Sequence, residues 1–261
     1  MRFILAAALL ALTACKQPSQ PVQADKSPAS APLTLLSKVK DIPPGISIQG
    51  KLLQALRWQD KSGDNLLLLS QAEGDFQPSK DGSDDMRDAH VYAAHYLLSA
   101  GKPRRLWLLQ DGVEQCPLDV VAAFDPAATR VADLNGDGVM ETILGYSQTC
   151  TGDVSPHSYK LILHAGKAKY GLRGIDRFGV TWRDTDTGQL SGTPLLADCS
   201  RSSQQALLNS KKTAGFDELP LPGCYADEKD FAGAPPAFLP AMRQQWHKLM
   251  QQQDAEWRKS Q

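Results

Sequence analysis

Short apolar runs separated by turn residues fill most of the chain, and their spacing is that of strands. Residues 51–59 set Leu53, Ala55 and Arg57 on one side and Leu52, Gln54, Leu56 and Trp58 on the other. Lys61-Ser62-Gly63-Asp64 is a turn signal, and residues 65–71 (NLLLLSQ) form the return strand. Ile46-Ser47-Ile48-Gln49 also alternates. Residues 90–99 and 104–110 make a second pair, joined by Ala100-Gly101-Lys102-Pro103. The stretch DAHVYAAHYLLSA also fits a helix, but the early Gly-Lys-Pro favours a strand with RRLWLLQDG as its partner. Residues 118–124, 129–133, 141–147, 158–164 and 169–173 are short and rich in β-branched and aromatic residues. The last two form a hairpin with Gly166 near its turn.

Residues 75–88 and 181–193 read as loops, and residues 197–211 as a short helix. The chain closes differently. Between residues 235 and 260, Phe238, Met242, Trp246, Leu249, Met250 and Trp257 recur at near-helical spacing behind Pro235 and Pro236. The polar face of this amphipathic helix is rich in glutamine rather than lysine, which favours docking on its own sheet over a membrane surface. The predicted class is mainly β, a β-rich α+β domain. Antiparallel hairpins form a sandwich-like or curved sheet, with a C-terminal amphipathic helix. No repeat of 20–50 residues is visible, which argues against a propeller.

The N-terminus carries a different signal. Arg2 precedes an apolar run of roughly a dozen residues, far short of the roughly 20 that span a bilayer. Leu12-Thr13-Ala14-Cys15 follows and resembles the lipobox of bacterial lipoproteins. The resemblance implies that residues 1–14 are a signal peptide and that Cys15 is lipidated, anchoring the chain to a membrane. Lys16 stands where an aspartate would resemble an inner-membrane retention signal, so the implied address is the outer membrane, with the body facing the periplasm. Residues 15–32 are rich in Pro, Gln, Ser and Ala and too poor in apolar side chains to offset the entropy of ordering, which makes them a lipid-anchored disordered tether. Residues 33–261 remain as one globular domain.

Composition narrows the function. The 261 residues hold 28 Lys+Arg and 29 Asp+Glu, a formal charge of -1. With no basic excess to neutralise phosphates, nucleic acid is excluded as a partner. Of five cysteines, Cys15 is the anchor. Cys116, Cys150, Cys199 and Cys224 remain, and in an oxidising compartment an even set suggests two disulfides. Sequence leaves three pairings open; Cys116–Cys150 and Cys199–Cys224 each lie within one local section and are expected. A zinc site is disfavoured, because no C-x-x-C occurs and no histidine is close by.

The strongest chemical motif is Asp133-Leu134-Asn135-Gly136-Asp137-Gly138-Val139-Met140-Glu141. Asp133, Asn135, Asp137 and Glu141 place oxygens at loop positions 1, 3, 5 and 9, and Val139 can offer its carbonyl. Gly138 permits a sharp turn at position 6. Calcium wants six to eight oxygens at about 2.3–2.6 Å, and this spacing points those of the loop at one centre. The pattern resembles the first half of an EF-hand loop, but Leu144 replaces its final glutamate. It is more similar to the compact loops between strands in integrin-type repeats, where the ninth-position acid completes the shell. The competing reading is a turn rich in Asx and Gly residues with merely solvated charges.

Beyond this loop come Cys150-Thr151-Gly152-Asp153-Val154-Ser155-Pro156 and Lys169-Tyr170-Gly171-Leu172-Arg173-Gly174. With the aspartate loop they resemble a family of uncharacterised bacterial lipoproteins, some members of which are labelled surface polysaccharide biosynthesis protein. The resemblance covers residues 130–174 and implies an envelope setting and a glycan link; it brings no catalytic residues. Lys160, Lys169, Tyr170 and Arg173, read as facing one side, are a candidate ligand surface for an acidic envelope glycan or a protein partner, or else the solvated face of a hairpin.

No G-x-S-x-G, H-E-x-x-H or P-loop occurs among these residues. His90 and His95 fall on opposite sides of their strand, and His164 ends another. The expectation is a non-catalytic lipoprotein with a structural calcium site and a binding role. The alternative is an envelope hydrolase or transferase, which needs a cleft with convergent acids or a histidine-centred pair.

Overall fold

The computed structural model describes residues 32–36, 41–74, 77–78, 82, 85–99 and 102–260. The predicted leader, Cys15 and all of the tether except Pro32 lie outside the described residues. The expected mainly β architecture is present, as two antiparallel sheets and a C-terminal helix.

The first sheet has the order β1–β2–β3–β5–β6, made of Thr34–Leu35, Lys51–Asp60, Gly63–Glu73, Asp85–Ser99 and Lys102–Cys116. The two-residue β4 (Gln77–Pro78) pairs with the start of β5. The second sheet runs β10–β9–β8–β7, from Ala168–Ile175, Ser158–Ala165, Glu141–Thr151 and Asp119–Ala132. A small hairpin, β11 (Thr181–Arg183) with β12 (Leu190–Gly192), follows. Helix α1 spans Arg201–Asn209 and α2 spans Phe238–Ser260.

The central strands of both sheets bury both faces, which explains why strands such as NLLLLSQ lack alternation. Leu67 and Leu69 meet Leu144, Tyr146 and Ile162 of the second sheet. Leu66 and Leu68 point the other way, under Ile42, Ile46 and Ile48 of the segment before β2. Ile46–Gln49 is thus an irregular apolar cover rather than a strand. On the second sheet, Ile143, Leu161 and Leu163 face α2 through Phe238, Met242, Trp246, Leu249 and Met250. The helix therefore docks on its own sheet. Pro240 lies in its first turn, where a missing N–H costs nothing.

Three local expectations need correction. The acidic stretch read as a loop to residue 88 becomes strand from Asp85, because long β6 offers a partner as far as Cys116. Residues 118–124 and 129–133 are one strand, with a register shift between Asp125 and Arg130 around Pro126, whose ring cannot donate to the ladder. Residues 181–193, read as a loop, contain β11 and β12.

Both disulfides pair as expected. Cys116–Cys150 ties β6 to β8 and so joins the two sheets, with a Cα separation of 5.7 Å. Cys199–Cys224 closes 25 residues and holds the segment that covers the free edge of β10. There the N–H of Ile175 donates to Cys224 O at 3.1 Å, and that of Ala226 to Arg173 O at 2.9 Å. Gly174 is needed at this crossing, since a Cβ would stand 2.0 Å from Cys224 O. By chain entropy each link contributes about 3–4 kcal/mol.

Between the sheets, Trp58, His95, Trp107 and His164 form a ladder of rings, with Trp107 stacked on His164 at 3.9 Å. His95 Nε2 meets Asn65 Oδ1 at 2.9 Å, whereas neither ring nitrogen of His164 has a hydrogen-bond partner. Burial drives both imidazoles down, His95 to about 4 and His164 to about 3. The unfolded chain therefore takes up these protons at a higher pH than the folded one, and stability is lost as pH falls below about 6.5. Glu141, described below, acts in the opposite sense, so the informative comparison is with His164→Phe, which keeps the stack. Thermal unfolding should show wild type losing more stability than this variant between about pH 7.5 and about pH 5. Parallel pH profiles would contradict the assignment.

Candidate calcium loop and ligand cleft

The aspartate loop connects β7 to β8 and is folded by its own side chains. Asp133 accepts from the N–H groups of Gly136, Asp137 and Gly138 at 2.7, 3.1 and 2.9 Å. Asn135 Oδ1 accepts from Asp137 N and Asp137 Oδ1 from Val139 N, at 3.0 and 2.7 Å. Gly136 and Gly138 take φ of +79° and +86°, so the sharp turn expected at Gly138 is present. Glu141 is buried and accepts from Leu134 N at 2.8 Å. Burial pushes its carboxyl up to about 7; the Leu134 bond opposes this, and the charges of Asp137 and Asp133 add to it.

These donors are all oxygens, the chemistry a hard cation requires, and they carry three carboxylates in nine residues. Among the described residues, however, no group of three or more His, Cys, Asp or Glu side chains is arranged to hold a metal ion. A calcium shell here therefore has to draw on the Asn135 amide and the Val139 carbonyl as well as the acids.

The same loop clasps the first sheet. Lys61, in the β2–β3 turn, donates its N–H to Gly138 O at 3.0 Å and its Nζ to Asp137 O at 3.1 Å. Met140 N donates to Asp60 Oδ2 at 3.0 Å. Further along β8, Asp111 of β6 accepts from Tyr146 OH, Gln148 Nε2 and Lys160 Nζ at 2.7, 3.1 and 2.6 Å. Burial raises the Asp111 carboxyl, but these three donors outweigh it and hold it down to about 2.

The predicted hairpin surface is divided by its register. Lys160, Lys169 and Arg173 share one face of the sheet, and Tyr170 lies on the other, packed on Phe231 and Phe238. Lys160 is ion-paired with Asp111 at 2.6 Å and Arg173 with Asp230 at 2.7 Å. Their charges are largely spent within the fold.

A cleft of about 460 Å³ opens elsewhere, on the helix side of the second sheet beneath the last turns of α2. Its floor is Val121 and Ala123 of β7 and Ser147 of β8. Its far wall is His157, Asp176 and Phe178; its roof is Gln253, Glu256 and Trp257. Phe178 stacks on His157 at 4.6 Å and leans on Trp257 at 4.7 Å. His157 Nδ1 lies 3.3 Å from Asp176 Oδ2, which also accepts from Ser147 Oγ at 3.3 Å. Asp176 Oδ1 takes the N–H groups of His157 and Phe178 at 2.8 and 3.1 Å.

One buried ion pair holds these walls together. Arg177, between Asp176 and Phe178, is fully buried and donates Nε and Nη2 to Asp254 of α2 at 3.1 and 2.6 Å. Its remaining donors reach Pro222 O and Thr193 O at 3.2 and 2.8 Å.

Sequence reading passed over His157, Asp176 and the cleft. Extending the β9–β10 register by one pair beyond Ser158–Ile175 sets His157 opposite Asp176, so this contact was available from the hairpin alone. The roof was not, because nothing local says where α2 ends above the sheet. Compared with known protein families, curated proteins and solved structures, the chain shows no match.

Asp254→Ala would leave the Arg177 guanidinium buried without its counter-charge, a change that costs about 3–5 kcal/mol. Urea unfolding should register that loss. A change below about 1 kcal/mol, the level of an exposed pair, would remove Arg177 from its role.

Proposed function

We propose that this chain is an outer-membrane lipoprotein, anchored through Cys15 with its body facing the periplasm, whose β-rich domain binds an envelope glycan without turning it over. The observation that carries the binding role is the cleft under α2. It is concave, falls within the size range of ligand sites, and combines aromatic faces with carboxylate, amide and hydroxyl groups. Aromatic faces stack on sugar rings, and the polar groups take their hydroxyls. The lipobox, the envelope-lipoprotein resemblance and the two disulfides agree with a periplasmic setting.

Calcium in the loop of Asp133, Asn135, Asp137, Val139 and Glu141 belongs to the same proposal, as a structural ion. It would supply positive charge to a site where burial disfavours an ionised Glu141. The loop it stiffens is the one that Lys61 and Asp60 fasten to the first sheet.

The His157–Asp176 contact supports a second reading, an envelope hydrolase or transferase acting on polysaccharide or peptidoglycan. With Nδ1 held by Asp176, Nε2 would be left to exchange a proton with a ligand.

Calorimetry with a tetramer of N-acetylglucosamine separates the readings. A binding domain should give saturable heat that falls at least tenfold in affinity with Phe178→Ala, and release no shorter products. Product formation abolished by His157→Gln would favour the enzyme instead. Millimolar calcium should raise the unfolding temperature, a chelator should reverse this, and Asp137→Ala should abolish the response. An equal shift in Asp137→Ala would place the ion elsewhere. Cys15→Ser should move the protein from membrane to soluble fractions, and continued retention would count against the anchor.

A further inference from the structure

The charge around the cleft bears on which sugar it takes. Three carboxylates border it, from Asp125, Asp176 and Glu256, and none of its described lining residues is a lysine or arginine. Arg258, the nearest arginine along α2, is held by Asp254 at 2.7 Å. Asp125 and Asp176 are fixed by donors from the fold: Tyr159 OH reaches Asp125 at 2.9 Å, and His157, Phe178 and Ser147 reach Asp176. Glu256 is exposed and makes no hydrogen bond or ion pair with the described residues, so it is free to meet a ligand.

Two further contributions do not depend on the acids. Ser260 lines the cleft and ends the 23-residue α2, so the carboxyl end of that helix borders the site, its roughly half negative charge partly offset by Arg258 and Lys259 of the same turn. Phe178 and Trp257 line the cleft, and aromatic rings attract cations as well as stacking on sugars. Arg258 is paired with Asp254 and neither it nor Lys259 lines the cleft, so the carboxylates and rings that do line it favour a positive group and oppose an anionic one.

We infer that the cleft selects a sugar bearing a free ammonium group, a deacetylated amino sugar, with its ring against Phe178 and Trp257 and its ammonium at Glu256. This rests on the glycan-binding reading and specifies its ligand class. The acetylated form of the same sugar loses the charge that Glu256 and the helix end attract. An acidic sugar meets repulsion from all of them.

The test uses the full-length chain in detergent and isothermal titration calorimetry with three tetramers: glucosamine, N-acetylglucosamine and galacturonic acid. The glucosamine tetramer should bind at least tenfold more tightly than its acetylated counterpart, and the galacturonic acid tetramer should be the weakest. Glu256→Gln, a change at an exposed side chain, should remove most of that preference, read as the ratio of the two affinities. Phe178→Ala should weaken both. Raising salt should reduce the preference, because the attraction is partly exposed to solvent. Equal binding of the glucosamine and N-acetylglucosamine tetramers, or a preference that survives Glu256→Gln, would overturn the inference and leave the glycan-binding reading standing. Tighter binding of the acidic tetramer would do the same. Absence of binding by any tetramer would remove both.

Discussion

The second sheet has two apolar faces, and everything else in the domain is arranged to cover them. One face packs on the first sheet through Leu144, Tyr146 and Ile162, and the other on α2 through Ile143, Leu161 and Leu163. Side chains alternate across a strand, so neighbours such as Ile143 and Leu144 demand different covers at once. Each buried aliphatic side chain contributes about 1.5–3 kcal/mol, and losing either cover would expose several together. That requirement sets the order of layers: an irregular apolar segment, the first sheet, the second sheet, then the helix.

Apolar packing does not fix how two sheets slide past one another, and the polar links along β8 supply that. At its start the aspartate loop grips the β2–β3 turn through Lys61 and Asp60. In its middle Tyr146 and Gln148 reach Asp111 on β6, and at its end Cys150 is bonded to Cys116. The helix layer is pinned differently, by the exposed pair Arg243–Glu228 near its start and the buried pair Arg177–Asp254 near its end. Burying two charges has a desolvation cost that can match their attraction, so the value of the Arg177–Asp254 pair lies more in fixing where α2 sits than in net stability. Asp176 and Phe178 flank that arginine, so locating the helix also locates the cleft wall.

Much of this was legible in the sequence, and the reasons differ by element. The hairpins followed from turn signals and apolar runs, the C-terminal helix from its spacing, and the disulfides from locality. What failed was local evidence facing a tertiary demand. The acidic residues from Asp85 look like loop, yet they become strand because β6 pairs with them. Lys160 and Arg173 look like a cationic surface, yet Asp111 and Asp230 lie far off in sequence and close in space. The aspartate loop was readable as a motif because its geometry is made within nine residues. The cleft draws on β7, β8, the ends of the β9–β10 hairpin and α2, and only the His157–Asp176 contact is local enough to have been anticipated.

The loop meets β8 at its first residue, Glu141, and the cleft meets it in mid-strand at Ser147, which at strand rise is about 20 Å further on. They also use different covers: the loop fastens the first sheet, while the cleft is roofed by the helix. An ion in the loop would therefore strengthen the scaffold without touching a ligand, and its effect on binding would pass only through the fraction of molecules folded. The cleft, in turn, depends on the last turns of α2 and on one buried arginine. The sheet-to-sheet links fix the scaffold, and the helix end, held by Asp254 on Arg177, Gln253 on the Arg177 N–H and Trp257 on Thr181 O, sets the opening through which a ligand is admitted.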